Sequence, residues 1–163
     1  MRYAIHIPPE RMKEITPEFI SQLESRLNVK IKMEREGAEI EGEGVEAFQA
    51  LNVLRAVSCG FSPEEALLLL EENTTFQVIE IPGSKNNLAR IRARLIGRKG
   101  RVKRNIERYT GCKISIGERS VYIIGTFEKA EIAKTAIEML ISGKKHSTMY
   151  KYFERLRREG TLE

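Results

Sequence analysis

Slid against itself by 83 positions, the sequence matches without a gap over residues 19–72 and 102–155. Glu24, Lys30, Ile31, Ile40, Gly42, Ala47, Ala50, Gly60 and Glu71 meet the same residue types at Glu107, Lys113, Ile114, Ile123, Gly125, Ala130, Ala133, Gly143 and Glu154. Apolar character coincides at further places: Phe19 with Val102, Leu23 with Ile106, Val29 with Cys112, Leu54 with Ile137. An internal match of this kind predicts a duplicated domain, and the 163 residues of the chain suffice for two small cores.

Each copy carries the same succession of patterns. A short alternating strand, YAIHI at Tyr3–Ile7 or FQVIEI at Phe76–Ile81, is closed by proline. A helical stretch and a turn come next. A second helix is then expected, with apolar spacing at Phe19, Leu23 and Leu27, or at Val102, Ile106 and Tyr109. Two strands follow, VKIKM and AEIEG or CKISI and SVYIIG, before a long amphipathic helix from about Val45 to Ser58 or Phe127 to Ser142. The order is strand, helix, helix, strand, strand, helix, and each copy appends one more helix. In the first copy that helix opens on Ser62-Pro63-Glu64-Glu65, an N-cap serine with proline at the first position and a glutamate to complete a capping box. The reading is an α+β chain divided at residues 1–73 and 74–163.

Several function classes are set aside by composition. All 23 acidic residues are glutamate, whereas many metal-dependent phosphoryl-transfer sites rely on the shorter aspartate. His6 and His146, the only imidazoles, have no Ser, Cys or Glu at a suggestive spacing. Cys59 and Cys112 lie far apart without histidine or cysteine neighbours; they predict small buried thiols in a reducing compartment, with no disulfide and no zinc. An apolar fraction of 41% with 31% charged residues describes a soluble chain, and no apolar run reaches the roughly 18 residues of a membrane span. A non-catalytic cytoplasmic protein without metal or cofactor is expected.

The copies diverge at the mouth of the second helix. Copy two has Gly97-Arg98-Lys99-Gly100 where copy one has Glu14-Ile15-Thr16-Pro17. Charge divides in the same way. Residues 1–72 hold 8 Lys/Arg against 14 Glu, net −6, while residues 73–163 hold 20 against 9, net +11. From Arg90 to Arg108 nine cations (Arg90, Arg92, Arg94, Arg98, Lys99, Arg101, Lys103, Arg104, Arg108) face one acid, Glu107. Solvated helix faces usually mix signs because like charges one turn apart repel, so this segment calls for a polyanionic partner. An acidic protein surface or a membrane would also supply one, but the glycine turn favours a phosphate backbone.

A helix N-terminus has unsatisfied N–H groups and a partial positive charge that attract phosphate. Glycines there remove the side chains that would hold a sugar-phosphate chain away. Arg98 and Lys99 add charge beside the turn, with Arg101, Lys103 and Arg104 in the first turn beyond it. Ile96, Ile106 and Ile114 offer an apolar floor for splayed bases, which suits single-stranded nucleic acid. Arg90 and Arg94, on the helix before the turn, read either as an outer electrostatic rim or as merely solvated cations.

The stretch ARLIGRKGRVKRNIERYTGCKISI, set in this order of elements, resembles a KH domain of the type I, eukaryotic topology, whose Gly-x-x-Gly loop clamps four nucleotides. With the clamp-less first copy, the GFSPEEALLLL stretch, the VYIIGTFEKAEIAKTAIEMLI continuation and the basic tail, the chain resembles the two-KH ribosome-assembly proteins of archaea. These are counterparts of the eukaryotic partner of the Nob endonuclease and relatives of the KRR-motif family. The resemblance implies binding of single-stranded RNA near the 3′ end of small-subunit ribosomal RNA, in support of pre-rRNA processing. It also implies protein partners, the processing endonuclease and the alpha subunit of initiation factor two, and no catalytic residue. The candidate RNA-binding set is Arg94, Ile96, Gly97, Arg98, Lys99, Gly100, Arg101, Lys103, Arg104 and Ile114. Competing readings are a general KH regulator of messenger RNA, a single-stranded DNA binder, and a docking scaffold whose acidic first half grips a protein.

Overall fold

The computed structural model describes residues 1–163 as two compact units, Met1–Thr74 and Thr75–Glu163. In the first, strand β1 (Arg2–His6) leads through a single-turn helix α1 (Pro9–Met12) to helix α2 (Pro17–Leu27). Strands β2 (Lys30–Glu34) and β3 (Gly37–Glu41) follow, then helix α3 (Gly44–Ser58) and the short α4 (Pro63–Leu67). The sheet order is β1-β3-β2 with both pairings antiparallel, so the last strand made sits in the centre. Leu23, Ile40, Ala47, Ala50, Val53 and Leu54 are fully enclosed between the helices and the sheet.

The second unit repeats the plan. It comprises β4 (Thr74–Glu80), α5 (Lys85–Ile96), α6 (Arg101–Thr110), β5 (Lys113–Ile116), β6 (Ser120–Thr126), α7 (Phe127–Ile141) and α8 (His146–Arg158). Its sheet order is β4-β6-β5, with β5 antiparallel to β6 at the edge. The strand-helix-helix-strand-strand-helix order read from sequence therefore holds in both copies.

Matched positions do matched work. Arg11 donates from Nε to the Val57 carbonyl at 2.8 Å and from Nη2 to that of Phe61 at 2.7 Å. Eighty-three residues on, Arg94 donates from Nη1 to Leu140 at 2.6 Å and from Nη2 to Lys144 at 2.7 Å. Each guanidinium thus closes the carbonyl end of the long helix, where orphan acceptors and the negative end of the dipole favour a cation. Gly42 and Gly125 repeat too: a Cβ on either would come within 2.7 Å of Val29 or 2.4 Å of Cys112, the matched residue that opens the strand hairpin.

The appended helix of copy one is short, and one expectation needs correction. The appended helix of copy one opens on the expected capping box, with Ser62 accepting from Glu65 N and Glu65 accepting from Ser62 N. It ends at Leu67, however, and runs out through a 3-10 turn at Leu68–Leu70, so it is far shorter than α8. Cys112 is buried as expected, but Cys59 is partly exposed, since it is the residue that terminates α3.

Candidate nucleic-acid interface

The turn between α5 and α6 has the conformation its glycines allow. Gly97 sits at φ +75°, Lys99 at +55° and Gly100 at +76°, three left-handed residues within four. A Cβ at Gly97 would lie 2.4 Å from Val102 Cγ2 and 2.8 Å from the Val102 nitrogen, so only glycine fits against the first turn of α6. At Gly100 a Cβ would meet only the tip of Arg104, at 3.0 Å; there the positive φ is the constraint. Lys99, a non-glycine in the left-handed region, carries strain of order 1 kcal/mol. The loop holds it there: Gly97 N donates to Ala93 O at 2.9 Å, Gly100 N to Gly97 O at 3.2 Å, and Arg104 Nη1 to Lys99 O at 2.6 Å.

The start of α6 is open. No side chain caps it and its first turn contains no acid. Arg98, Lys99, Arg101 and Arg104 are exposed around it, and Gly97 and Gly100 are half-buried. Copy one closes the same position by local chemistry. Thr16 Oγ1 accepts from Phe19 N at 3.2 Å, Pro17 occupies the first helical position, Glu18 adds an acid, and Ile15, the counterpart of Arg98, is buried. No residue from Glu14 to Pro17 has a positive φ.

The structure thus brings together Gly97, Arg98, Lys99, Gly100, Arg101 and Arg104, with Ile96 half-exposed at the end of α5. Three of the remaining residues stand elsewhere or are engaged. Arg94 is turned away to the Leu140 and Lys144 carbonyls, because helical spacing puts position 94 on the side of α5 that faces α7. Ile114 belongs to the core at 3% exposure, since alternation along β5 points it inward; it is not a groove surface. Ile116, two residues on, is the half-buried apolar side chain of that strand. Lys103 is half-buried beside Glu107, with Nζ 4.0 Å from Oε2.

The hollow beside α6 adds cations that sequence reasoning left out. Arg101, Arg104, Asn105, Glu107, Arg108 and Lys113 line it, so Lys113 of β5 joins the helix charges across a small gap. Its outward place in the alternation CKISI was the available signal. Arg92, counted with the basic run, instead ties α5 to the β5–β6 turn by donating from Nε to Gly117 O at 2.7 Å.

A three-stranded sheet of order β4-β6-β5 backed by helices, with a left-handed Gly-x-x-Gly turn at the open mouth of a basic helix, defines a type I KH domain. Residues 75–158 match the family model for the second KH domain of PNO1, described as a eukaryotic type KH-domain (KH-domain type I). The chain belongs to this PNO1 family of KH proteins. Among its relatives, a KH domain-containing protein of Methanocaldococcus jannaschii is 34% identical over 84% of this chain and 64% of its own length. The RNA-binding protein pno1 of Ixodes scapularis is 32% identical over 78% of this chain and 57% of its own. The chain therefore spans about 60% of these curated relatives. Of solved structures, Dim2p from Pyrococcus horikoshii superposes with a TM-score of 0.85 at 31% identity, covering 95% of this chain and 99% of that one. A Pyrococcus horikoshii structure described as an a/eIF2alpha-aDim2p-rRNA complex gives 0.87 at 32% identity, covering 98% and 95%.

Proposed function

We propose that this protein is a non-catalytic RNA-binding factor of small-subunit assembly that holds single-stranded RNA near the 3′ end of small-subunit rRNA through its second KH domain. The carrying observation is the uncapped start of α6 behind a left-handed Gly-x-x-Gly turn, surrounded by exposed cations. Gly97 lets the turn pack against Val102, and phosphates approach at Gly100, where only the movable Arg104 tip stands near the missing side chain. Arg98, Lys99 and Arg101 neutralise them, and first-turn N–H groups of α6 donate to their oxygens. Arg104 acts from the loop carbonyl it already holds, and Lys103 remains near Glu107 as a weaker contributor. Bases lie over Ile96, with Ile116 taking the part sequence gave to Ile114, and Arg94 is a structural clamp outside the contact set.

The rRNA assignment draws on relatives described as pre-rRNA-processing proteins and on the Dim2p neighbour described in complex with rRNA and a/eIF2alpha. On the same ground we take the initiation-factor alpha subunit as a partner, and on the family resemblance the processing endonuclease. No group of histidine, cysteine and acidic residues is arranged to hold a metal ion, and no helix is long and apolar enough to cross a membrane. We place the protein in the cytoplasm, where its RNA would be. Competition between an rRNA 3′-end oligomer and a scrambled one tests the assignment. Preference for the rRNA sequence is expected, while equal competition would return the protein to the general KH binders.

A further inference from the structure

The clamp serves about four nucleotides, yet the cations of the second unit continue past it along α8. That helix lies on α6 in a fixed register. Asn105 Nδ2 donates to Tyr150 Oη at 3.0 Å, and Tyr109 Oη donates to Glu154 Oε1 at 2.7 Å. Both pairs join residues 45 apart, so the two helices run in the same direction and α8 begins toward the Gly-x-x-Gly end of α6. His146 Nε2, 2.9 Å from the Arg94 carbonyl, fixes that end. Met149 and Phe153 form the buried side, with the Phe153 ring stacked on Tyr109 at 4.8 Å.

On the other side Thr148, Lys151, Arg155 and Arg158 are exposed, and their spacings of three, four and three residues put them on one line. Lys144 and Lys145 are exposed at its head. Lys144, Lys145, Lys151 and Arg158 have no carboxylate within 4.0 Å; the one ion pair on the line, Arg155 to Glu159 at 3.9 Å, is exposed on both sides. The fold does not require these charges. Copy one has Phe61, Ser62, Leu68 and Glu72 at the positions of Lys144, Lys145, Lys151 and Arg155. Cations on the appended helix occur in the copy that has the glycine turn, although at i,i+4 they repel one another along the helix.

We propose that this face of α8 is a second RNA contact, which holds the sugar-phosphate backbone of the strand flanking the clamped nucleotides. At about 1.5 Å per residue, the 13 residues of α8 present a rail about 20 Å long. The inference rests on the clamp reading, and two RNA lengths separate the two ideas. Anisotropy of the full chain is measured on a labelled six-mer and a 16-mer from the rRNA 3′ end, across a salt series. The variants are Lys151→Gln/Arg155→Gln/Arg158→Gln and Arg98→Asp/Lys99→Asp, with unfolding midpoints confirming that both are folded. The triple variant is expected to bind the six-mer as wild type does, to lose the extra affinity of the 16-mer, and to show a 16-mer salt slope shallower by about 2, near 0.7 per lost phosphate. Wild-type affinity and slope for the triple variant on the 16-mer would overturn the rail and leave the clamp standing. If wild type binds the 16-mer but not the six-mer, and only the triple variant loses it, the rail stands and the clamp falls. Binding of neither RNA overturns both.

Discussion

Glu107 Oε2 accepts the backbone N–H of Ile114 at 2.9 Å, which satisfies an amide on the strand at the edge of the second sheet. Glu24 does the same for Ile31 at 3.0 Å in the first. Two of the identities that reveal the duplication are therefore the two ends of one hydrogen bond. Lone acid though it is in a basic segment, Glu107 fastens helix to strand. Glu107→Ala should cost about 1–3 kcal/mol, the range for stranding a partly buried donor, read as a lower midpoint in urea. Glu24→Ala should cost a similar amount.

Arg94→Ala should behave as a stability variant. It removes two hydrogen bonds to carbonyls at the end of α7, a loss of about 2–3 kcal/mol by analogy with other charged donors. RNA affinity of the folded fraction should stay near wild type. Arg11→Ala should destabilise similarly, since it strips the Val57 and Phe61 carbonyls.

The two glycines should separate. Gly97→Ala drives a methyl into Val102 and keeps a positive φ, so a loss of more than about 2 kcal/mol is expected in thermal unfolding, with a distorted turn. Gly100→Ala displaces only the Arg104 tip and pays for its backbone, about 1 kcal/mol.

Burial raises the Cys112 thiol above its ordinary pKa, opposed by its hydrogen bond to Thr110 and the Lys129 charge. Less thiolate at a given pH means slower alkylation. Peptide mapping after maleimide treatment at neutral pH should find Cys112 unmodified in the native protein and modified once it is unfolded. The hydrogen bond to Glu154 raises the Tyr109 phenol as well, with burial adding to it. A raised folded pKa contributes stability that is complete below the unfolded value near 10 and fades as pH climbs through the folded one. Unfolding midpoints should therefore drop more steeply above pH 10 in wild type than in Tyr109→Phe.

Much of this was legible in the sequence because the duplication supplied its own comparison. Element order and the loss of the turn in copy one follow from patterns two to four residues long, which local sterics decide. Ile114 and Arg94 stand apart from the turn for reasons that no local pattern carries. Whether an apolar strand residue lines a groove or a core depends on which face the helices cover, and an arginine's partners depend on carbonyls 46 and 50 residues away. Lys113 joins the cations only in three dimensions, because its neighbours in the hollow come from α6.

The central claim is that Arg98, Lys99 and the turn that carries them hold RNA phosphates. Fluorescence anisotropy of an rRNA 3′-end oligomer, wild type against Arg98→Asp/Lys99→Asp over a salt series, tests it most directly. On a six-mer, where about four phosphates are clamped, the wild-type slope of log K against log salt should be about −3, and the variant should lose most of its affinity with its unfolding midpoint unchanged. A folded variant that binds with wild-type affinity and slope would contradict the account.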